Sequence, residues 1–223
     1  MLSNKGAAAI SFKYFNYSIL FINCHLAAGQ KSFLKRNEDF KRINNNLCFN
    51  ILNDLKKTTS NYLLSSHTIS DYYDICIFSG DMNYRIDLPL SEAYNYLINN
   101  RLEKIIDHDQ LYKQIDKGYI EINHFNEGRI NFYPSYKFEP NSDNYDIEAK
   151  QPGWTDRILY KSKLNSQFSL IKYNWIRGVK FSDHKPVVAE FIFNLKQENE
   201  ESNLLRQSEL KDTNNKSNAC VIF

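Results

Sequence analysis

Apolar residues change period several times along this chain, and each change marks an element. Gly6-Ala7-Ala8-Ala9-Ile10-Ser11-Phe12 and Ser18-Ile19-Leu20-Phe21-Ile22-Asn23-Cys24-His25 read as two strands joined by a short turn at residues 13–17, the second ending in a histidine. Over residues 30–55, Phe33, Phe40, Ile43, Leu47, Ile51 and Leu55 recur near helical spacing between Lys, Arg and Asn, which predicts a long amphipathic helix. Asn and Ser crowd residues 56–71, a surface loop. Ile75-Cys76-Ile77-Phe78-Ser79 then reads as a buried strand that Gly80 ends. Residues 91–99 and 107–117 have helical character, with Gly118 as terminator of the second. Residues 125–138 read as loop and extended chain, residues 139–152 as polar turns, and residues 157–160, 168–175 and 186–193 as strands. Strands and helices are interspersed, so the fold class is mixed α and β. Beyond residue 195 the chain turns to Glu, Asn, Ser and Lys, the composition of a disordered tail.

Composition adds bounds. The 223 residues fit one domain, and 42% hydrophobic with 14% aromatic content is enough for a core. A net charge of +2 gives no general affinity for nucleic acid, so an anionic ligand must be met by local clusters. Cys24, Cys48 and Cys76 lack paired short spacing and sit in apolar or helical contexts, which fits buried thiols in a reducing compartment and speaks against zinc. No apolar run approaches the roughly 20 residues that span a bilayer.

The chemistry concentrates in three polar signatures, each attached to an apolar run: Gly80-Asp81-Met82-Asn83-Tyr84-Arg85, Trp154-Thr155-Asp156-Arg157-Ile158-Leu159 and Ser182-Asp183-His184-Lys185-Pro186. With alternation along extended chain, Asp81, Asn83 and Arg85 share one side: a base or metal ligand, a neutral donor and a fixed cation. Asp183 and His184 stand at the entry of one strand and Asp156 at the entry of another, so strand ends distant in sequence are expected to meet on one rim. Taken singly these residues have ordinary readings: an Asx turn for Asp81 and Asn83, a structural role for His25, a cap for Asp183 and surface placement for Lys137 and Lys150. His67, His108 and His124 match no pattern and read as surface residues.

These motifs, in order, resemble the inositol polyphosphate 5-phosphatases of the endonuclease/exonuclease/phosphatase superfamily. Asn23-Cys24-His25-Leu26-Ala27-Ala28 is similar to N-x-H-L-A-A, Arg36-Asn37-Glu38-Asp39-Phe40 to R-N-x-D-F, and residues 80–86 to G-D-x-N-Y-R-I. Phe125-Asn126-Glu127-Gly128 with Pro134-Ser135-Tyr136-Lys137-Phe138, residues 152–159 and residues 182–186 resemble F-x-E-G, P-[ST]-Y-K-[FY], P-x-W-[CT]-D-R-I-L and S-D-H-K-P. The similarity covers about residues 5–193. Gly29 and Gly153 depart from it, and the loop at residues 146–152 offers only Lys150 where two basic residues are usual. The asparagine and the metal-holding glutamate of the family's first strands have no counterpart before Lys5. The resemblance therefore implies an N-terminally incomplete catalytic domain over residues 1–195, an α+β sandwich of two mostly antiparallel sheets flanked by helices in four layers, as in DNase I, with a polar tail over residues 196–223.

It further implies magnesium-dependent attack of water on the 5-phosphate of a phosphoinositide or a soluble inositol polyphosphate. Asp81 would be the base, Asn83 and His25 phosphate contacts, and His184 a transition-state donor held by Asp156. Asp183 would lie beside Mg2+, while Tyr84, Arg85, Tyr136, Lys137 and Lys150 would grip the head group. The ending Cys220-Val221-Ile222-Phe223 fits a prenylation box on Cys220, which with a lipid substrate predicts a cytoplasmic protein peripheral on the cytosolic face of membranes. The alternative is a truncated, non-catalytic member that binds anionic head groups or a protein partner. A nuclease of the same superfamily is disfavoured by the near-neutral charge, and no nucleic-acid partner is expected.

Overall fold

The computed structural model describes residues 4–47, 68–118, 125–146, 148 and 150–195. The polar tail with Cys220, and Cys48, His67 and His124, lie outside the described residues. Strands β1 (Gly6–Tyr14) and β2 (Tyr17–His25) form an antiparallel hairpin, and β2 then pairs in parallel with β3 (Ile75–Asp81). On the other side of β3 runs β5 (Asp156–Ser162), antiparallel, followed by the short β4 (Asn126–Glu127), so the five-stranded order is β1-β2-β3-β5-β4. Strands β6 (Phe168–Trp175) and β7 (Val187–Phe193) make a second, antiparallel sheet of two strands.

Alternation along the strands sends side chains to two separate cores. Leu20, Ile22 and Cys24 of β2, Cys76 and Phe78 of β3 and Leu159 of β5 meet Phe40 of helix α1 (Phe33–Asn46) and Leu47 just beyond its end. Ile19, Ile75 and Ile77 face the opposite way, toward Phe168 of β6 and Phe191 and Phe193 of β7. Over β1, and over β2 from Phe21 on, that second face is exposed: Ile10 is 62% exposed, and Phe12 and Phe21, 46% and 45% exposed, stack with ring centroids 6.0 Å apart. Helices α2 (Leu90–Ile98), α3 (Leu102–Ile106) and α4 (Gln110–Asp116) contribute to a third cluster around Ile86, Phe132 and Trp154.

Several boundaries differ from the sequence reading, each for a local reason. Helix α1 begins at Phe33, because Gln30 is spent donating from Nε2 to the Ile86 carbonyl, and Leu47 leaves the helix with an extended ψ of 129°. The expected continuation to Leu55 lies outside the described residues. The described end of the expected surface loop is a 3-10 turn, Ile69–Tyr72, with Ile69 and Ser70 buried. The helix expected over residues 107–117 starts at Gln110, because Asp109 acts as N-cap, accepting from the Tyr112 N–H at 3.1 Å. Asp109 is also fully buried against Arg157, whose guanidinium lies 3.0 Å from Asp109 and 2.6 Å from Glu127 and so remains protonated between two acids. Finally, Gly80 does not end β3, which continues to Asp81.

The turn at Thr68 yields a pH-dependent prediction. Asp71 accepts from the Thr68 N–H at 2.8 Å, from the Thr68 hydroxyl at 3.0 Å and from Lys161. Burial alone would raise its pKa; the hydrogen bonds from Lys161 and Thr68 outweigh this and hold it below the ordinary 3.8. A depressed carboxyl stabilises the fold above its unfolded pKa and loses that contribution as pH falls through the folded value. Asp71→Asn is therefore expected to lower stability by about 1 kcal/mol at neutral pH. The gap in urea midpoint should narrow as pH falls below 3.8, and a gap that does not change on acidification would contradict this account.

Candidate active site

Strand register assembles the centre of the site. His25 at the end of β2 stands opposite Asp81 at the end of β3, and Asp81 stands opposite Asp156 at the start of β5. Three candidate side chains thus share one rim of the sheet, on strands packed against helix α1. His25 Nε2 lies 3.1 Å from Asp81 Oδ2, and Lys5, just before β1, contacts the same nitrogen. Asp81 is further held by Asn83, whose backbone N–H donates to Oδ1 at 3.0 Å and whose Nδ2 donates to Oδ2 at 3.0 Å.

The chain from Asp81 to Arg85 is not extended, which changes the expected sidedness. Asn83 takes a left-handed φ of 58°, and the N–H groups of Met82 and Asn83 both point to the Thr155 carbonyl, at 2.7 and 3.3 Å. The bend links Asp81 and Arg85 through Asn83, with Arg85 Nε donating to the Asn83 carbonyl at 3.1 Å and its terminal nitrogen to Asn83 Oδ1. The remaining Asn83 Nδ2 hydrogen goes to the Leu26 carbonyl at 3.1 Å, so in this arrangement the amide orients Asp81. Tyr84 is a correction. Its ring is fully buried, its hydroxyl donates to Asn37 Oδ1 at 2.8 Å, and it belongs to the core rather than to a substrate surface.

His184 joins from the second sheet's entry loop. Its Nδ1 is 2.8 Å from Asp156 Oδ2, which also accepts from the Ser135 and Thr155 hydroxyls at 3.0 Å each. Burial disfavours the imidazolium, but the Asp156 hydrogen bond and the charges of Asp156, Asp81 and Asp183 outweigh it and raise the pKa of His184. Asp81 is raised as well, by burial first and then by the Asp156 charge, against the attraction of His184 and His25. The Tyr136 ring packs 4.5 Å from the His184 ring and 4.8 Å under the Arg85 guanidinium, so it is a buried platform between them.

Beside this centre lies a cavity of about 340 Å³ lined by Gly29, Gln30, Arg85, Leu90, Lys150 and Gln151. Two cations and two amides give it the chemistry of an anion site. Lys137 stands at 3.5 Å from Asp146 and is half-buried. Asp183 is half-buried, with its main-chain carbonyl accepting from the Phe138 N–H at 2.9 Å. Asp183 offers one hard oxygen ligand, yet among the described residues no three His, Cys, Asp or Glu side chains gather as a metal-holding group.

The sequence reading gave no roles to the residues that hold the pocket walls. Arg36 donates to the Ala27 and Gly29 carbonyls at 3.1 and 2.7 Å and to Gln110 at 2.5 Å. The same Gln110 oxygen accepts from the Arg85 N–H at 2.9 Å, and its Nε2 donates to the Gln30 carbonyl at 2.9 Å. A signal existed: Arg36, Asn37 and Asn44 occupy the apolar phase of α1 defined by Phe33, Phe40 and Leu47, and polar residues on a buried helix face must have partners.

The chain matches the endonuclease/exonuclease/phosphatase family 2 over residues 1–190. It is 36% identical over 191 residues to synaptojanin of Caenorhabditis elegans, covering 84% of this chain and 16% of that protein. To the phosphatidylinositol 4,5-bisphosphate 5-phosphatase INP51 of Saccharomyces cerevisiae it is 34% identical over 193 residues, 86% of this chain and 18% of that one. Among solved structures, the inositol polyphosphate 5-phosphatase domain of SPsynaptojanin, in complex with inositol (1,4)-bisphosphate and calcium ion, superposes with a TM-score of 0.69 at 30% identity, over 95% of this chain and 60% of that one. The chain thus spans less than a fifth of these two curated relatives. Its α+β architecture of two packed sheets agrees with that solved domain. By sequence and by fold, the chain belongs to endonuclease/exonuclease/phosphatase family 2, on its inositol polyphosphate 5-phosphatase branch.

Proposed function

We propose that the chain provides the hydrolytic centre for removing the 5-phosphate of a phosphoinositide, such as phosphatidylinositol 4,5-bisphosphate, or of a soluble inositol polyphosphate. The observation that carries this reading is the register that aligns His25, Asp81 and Asp156 on one rim, next to a cavity bearing Arg85 and Lys150. Asp81 orients a water and takes its proton as the water oxygen bonds to phosphorus and the bond from phosphorus to the inositol oxygen breaks. A carboxyl pushed up by burial is better matched to that task near neutral pH than a solvated one. His184, kept protonated by Asp156, offers its Nε2 proton to the phosphoryl oxygens as charge builds on them, and His25 offers a second contact. Arg85 and Lys150 hold a further phosphate of the ring, and Lys137 contributes from the neighbouring loop.

Magnesium belongs to this reading, as a hard cation that the Asp183 carboxylate would hold and that would neutralise charge on the phosphoryl oxygens. The second reading is a head-group binder without turnover, in which Arg85 and Lys150 hold phosphates that no water attacks. Phosphate release from a 5-phosphorylated inositide, measured with magnesium and with a chelator, separates the two. Magnesium-stimulated release supports the phosphatase. Binding of the head group without release supports the binder, and neither binding nor release overturns both.

Prenylation of Cys220 and a peripheral place on the cytosolic face of membranes are part of the same proposal. Cys220→Ser is expected to move the protein from the membrane pellet to the soluble fraction, and equal partition of the two forms would count against it.

A further inference from the structure

We propose that Gln30 and Gln151 set which inositol ring this site accepts: one with a free hydroxyl beyond the phosphate held by Arg85 and Lys150, in preference to one with a further phosphate there. The inference rests on the phosphatase reading and adds selectivity to it. Both amides line the cavity beside the catalytic centre. Gln30 Nε2 donates to the Ile86 carbonyl at 2.8 Å and lies 3.5 Å from Asp87 Oδ1, while Gln151 Nε2 donates to the Leu88 carbonyl at 2.8 Å. A backbone carbonyl only accepts, so these contacts fix which end of each amide is nitrogen.

Residues 86–88 thus hold both nitrogens to the wall, and among the described residues no donor meets either amide oxygen. Gln110 stiffens the same wall, donating from Nε2 to the Gln30 carbonyl at 2.9 Å and to Asp87 Oδ1 at 2.7 Å. The cations make the cavity an anion site, and the amide oxygens, with the Asp87 carboxylate behind Gln30, limit how much anion it takes. An inositol ring phosphorylated at position 4, next to the scissile 5-phosphate, satisfies both: the phosphate meets Arg85 and Lys150, and the hydroxyl at position 3 donates to an amide oxygen. A phosphate at position 3 is largely deprotonated and sets acceptor against acceptor. Turning an amide over to meet it would break the bond to Ile86 or Leu88, so the mismatch costs more than the match contributes. Charge attraction alone would favour the more phosphorylated ring, so the two accounts differ in sign.

Calorimetry compares inositol 1,4,5-trisphosphate with inositol 1,3,4,5-tetrakisphosphate, which differ only at position 3, on the full chain and on Gln151→Leu, Asp87→Asn and Lys150→Gln. The parent is expected to bind the trisphosphate about tenfold more tightly. Gln151→Leu should bring the two affinities within about threefold by weakening the trisphosphate, whereas loss of a merely structural amide would leave their ratio unmoved. Asp87→Asn keeps the shape of the wall and should narrow the ratio by strengthening the tetrakisphosphate; it carries the comparison if Gln151→Leu melts below the parent. Lys150→Gln should weaken both ligands together. Equal affinities in the parent, or a preference for the tetrakisphosphate, overturn the selectivity and leave the phosphatase reading standing. A ratio that neither Gln151→Leu nor Asp87→Asn changes removes these residues from the role, and a parent chain that binds neither ligand overturns both readings.

Discussion

Asp81→Asn is expected to lower phosphate release by about a thousandfold or more while the chain stays folded, the scale seen when a positioned base is removed. The amide keeps the volume and the place opposite His25 and Asp156, so substrate contacts through Arg85 and Lys150 persist and the loss should fall on turnover rather than on the Michaelis constant. Stability should move the other way. Burial and the Asp156 charge make an ionised Asp81 costly near neutral pH, so a neutral residue relieves a destabilising charge and the melting temperature should hold or rise. Equal turnover in parent and variant removes Asp81 from the base role; equal loss from a misfolded variant would show as a collapsed melting transition.

Gly80→Ala should produce the largest loss of stability. Gly80 has a φ of +128°, a region L-residues with a Cβ rarely enter, and an added Cβ would sit 2.1 Å from the Cys24 carbonyl oxygen and 2.8 Å from its nitrogen. Those atoms belong to the backbone of β2, paired in register with β3, so no side chain can swing away to make room. Backbone strain and a steric clash together place the cost at about 4 kcal/mol or more, a large part of the 5 to 15 kcal/mol that holds a typical domain. Solubility and urea midpoint check it. A variant within about 0.5 kcal/mol of the parent would mean that β2 and β3 separate freely at their catalytic ends, contrary to the packing described.

How much the sequence disclosed depended on whether a position is governed by local pattern or by partners far away. β6 has the expected limits because aromatic and branched residues recur from Phe168 to Trp175, across one irregularity between Leu170 and Lys172. The convergence of His25, Asp81, Asp156 and His184 was legible through ordered motifs at strand ends. Strict alternation after Gly80 was the wrong basis for the sidedness of Asp81, Asn83 and Arg85, because the left-handed turn at Asn83 ends the period of two. The break in the helix at Asp109 was hidden, since a buried arginine 48 residues away claims that carboxylate. Gln110 and Arg36 went without roles for the same reason: a polar side chain reveals its partners only after folding.

The bare aromatic strip on β1 and β2 bears on how any activity of this chain should be assayed. Phe12 and Phe21, stacked and open to solvent with Ile10 beside them, form an exposed apolar strip of the kind to which detergent micelles and acyl chains would adsorb. Adsorption concentrates the protein where lipid substrates are dispersed, so faster turnover of micellar than of soluble substrate would arise without any preference in the catalytic pocket. Substrate selectivity is therefore meaningful only when the rate ratio is compared with that of a Phe12→Ser, Phe21→Ser form, in which the surface effect is gone and the pocket is intact.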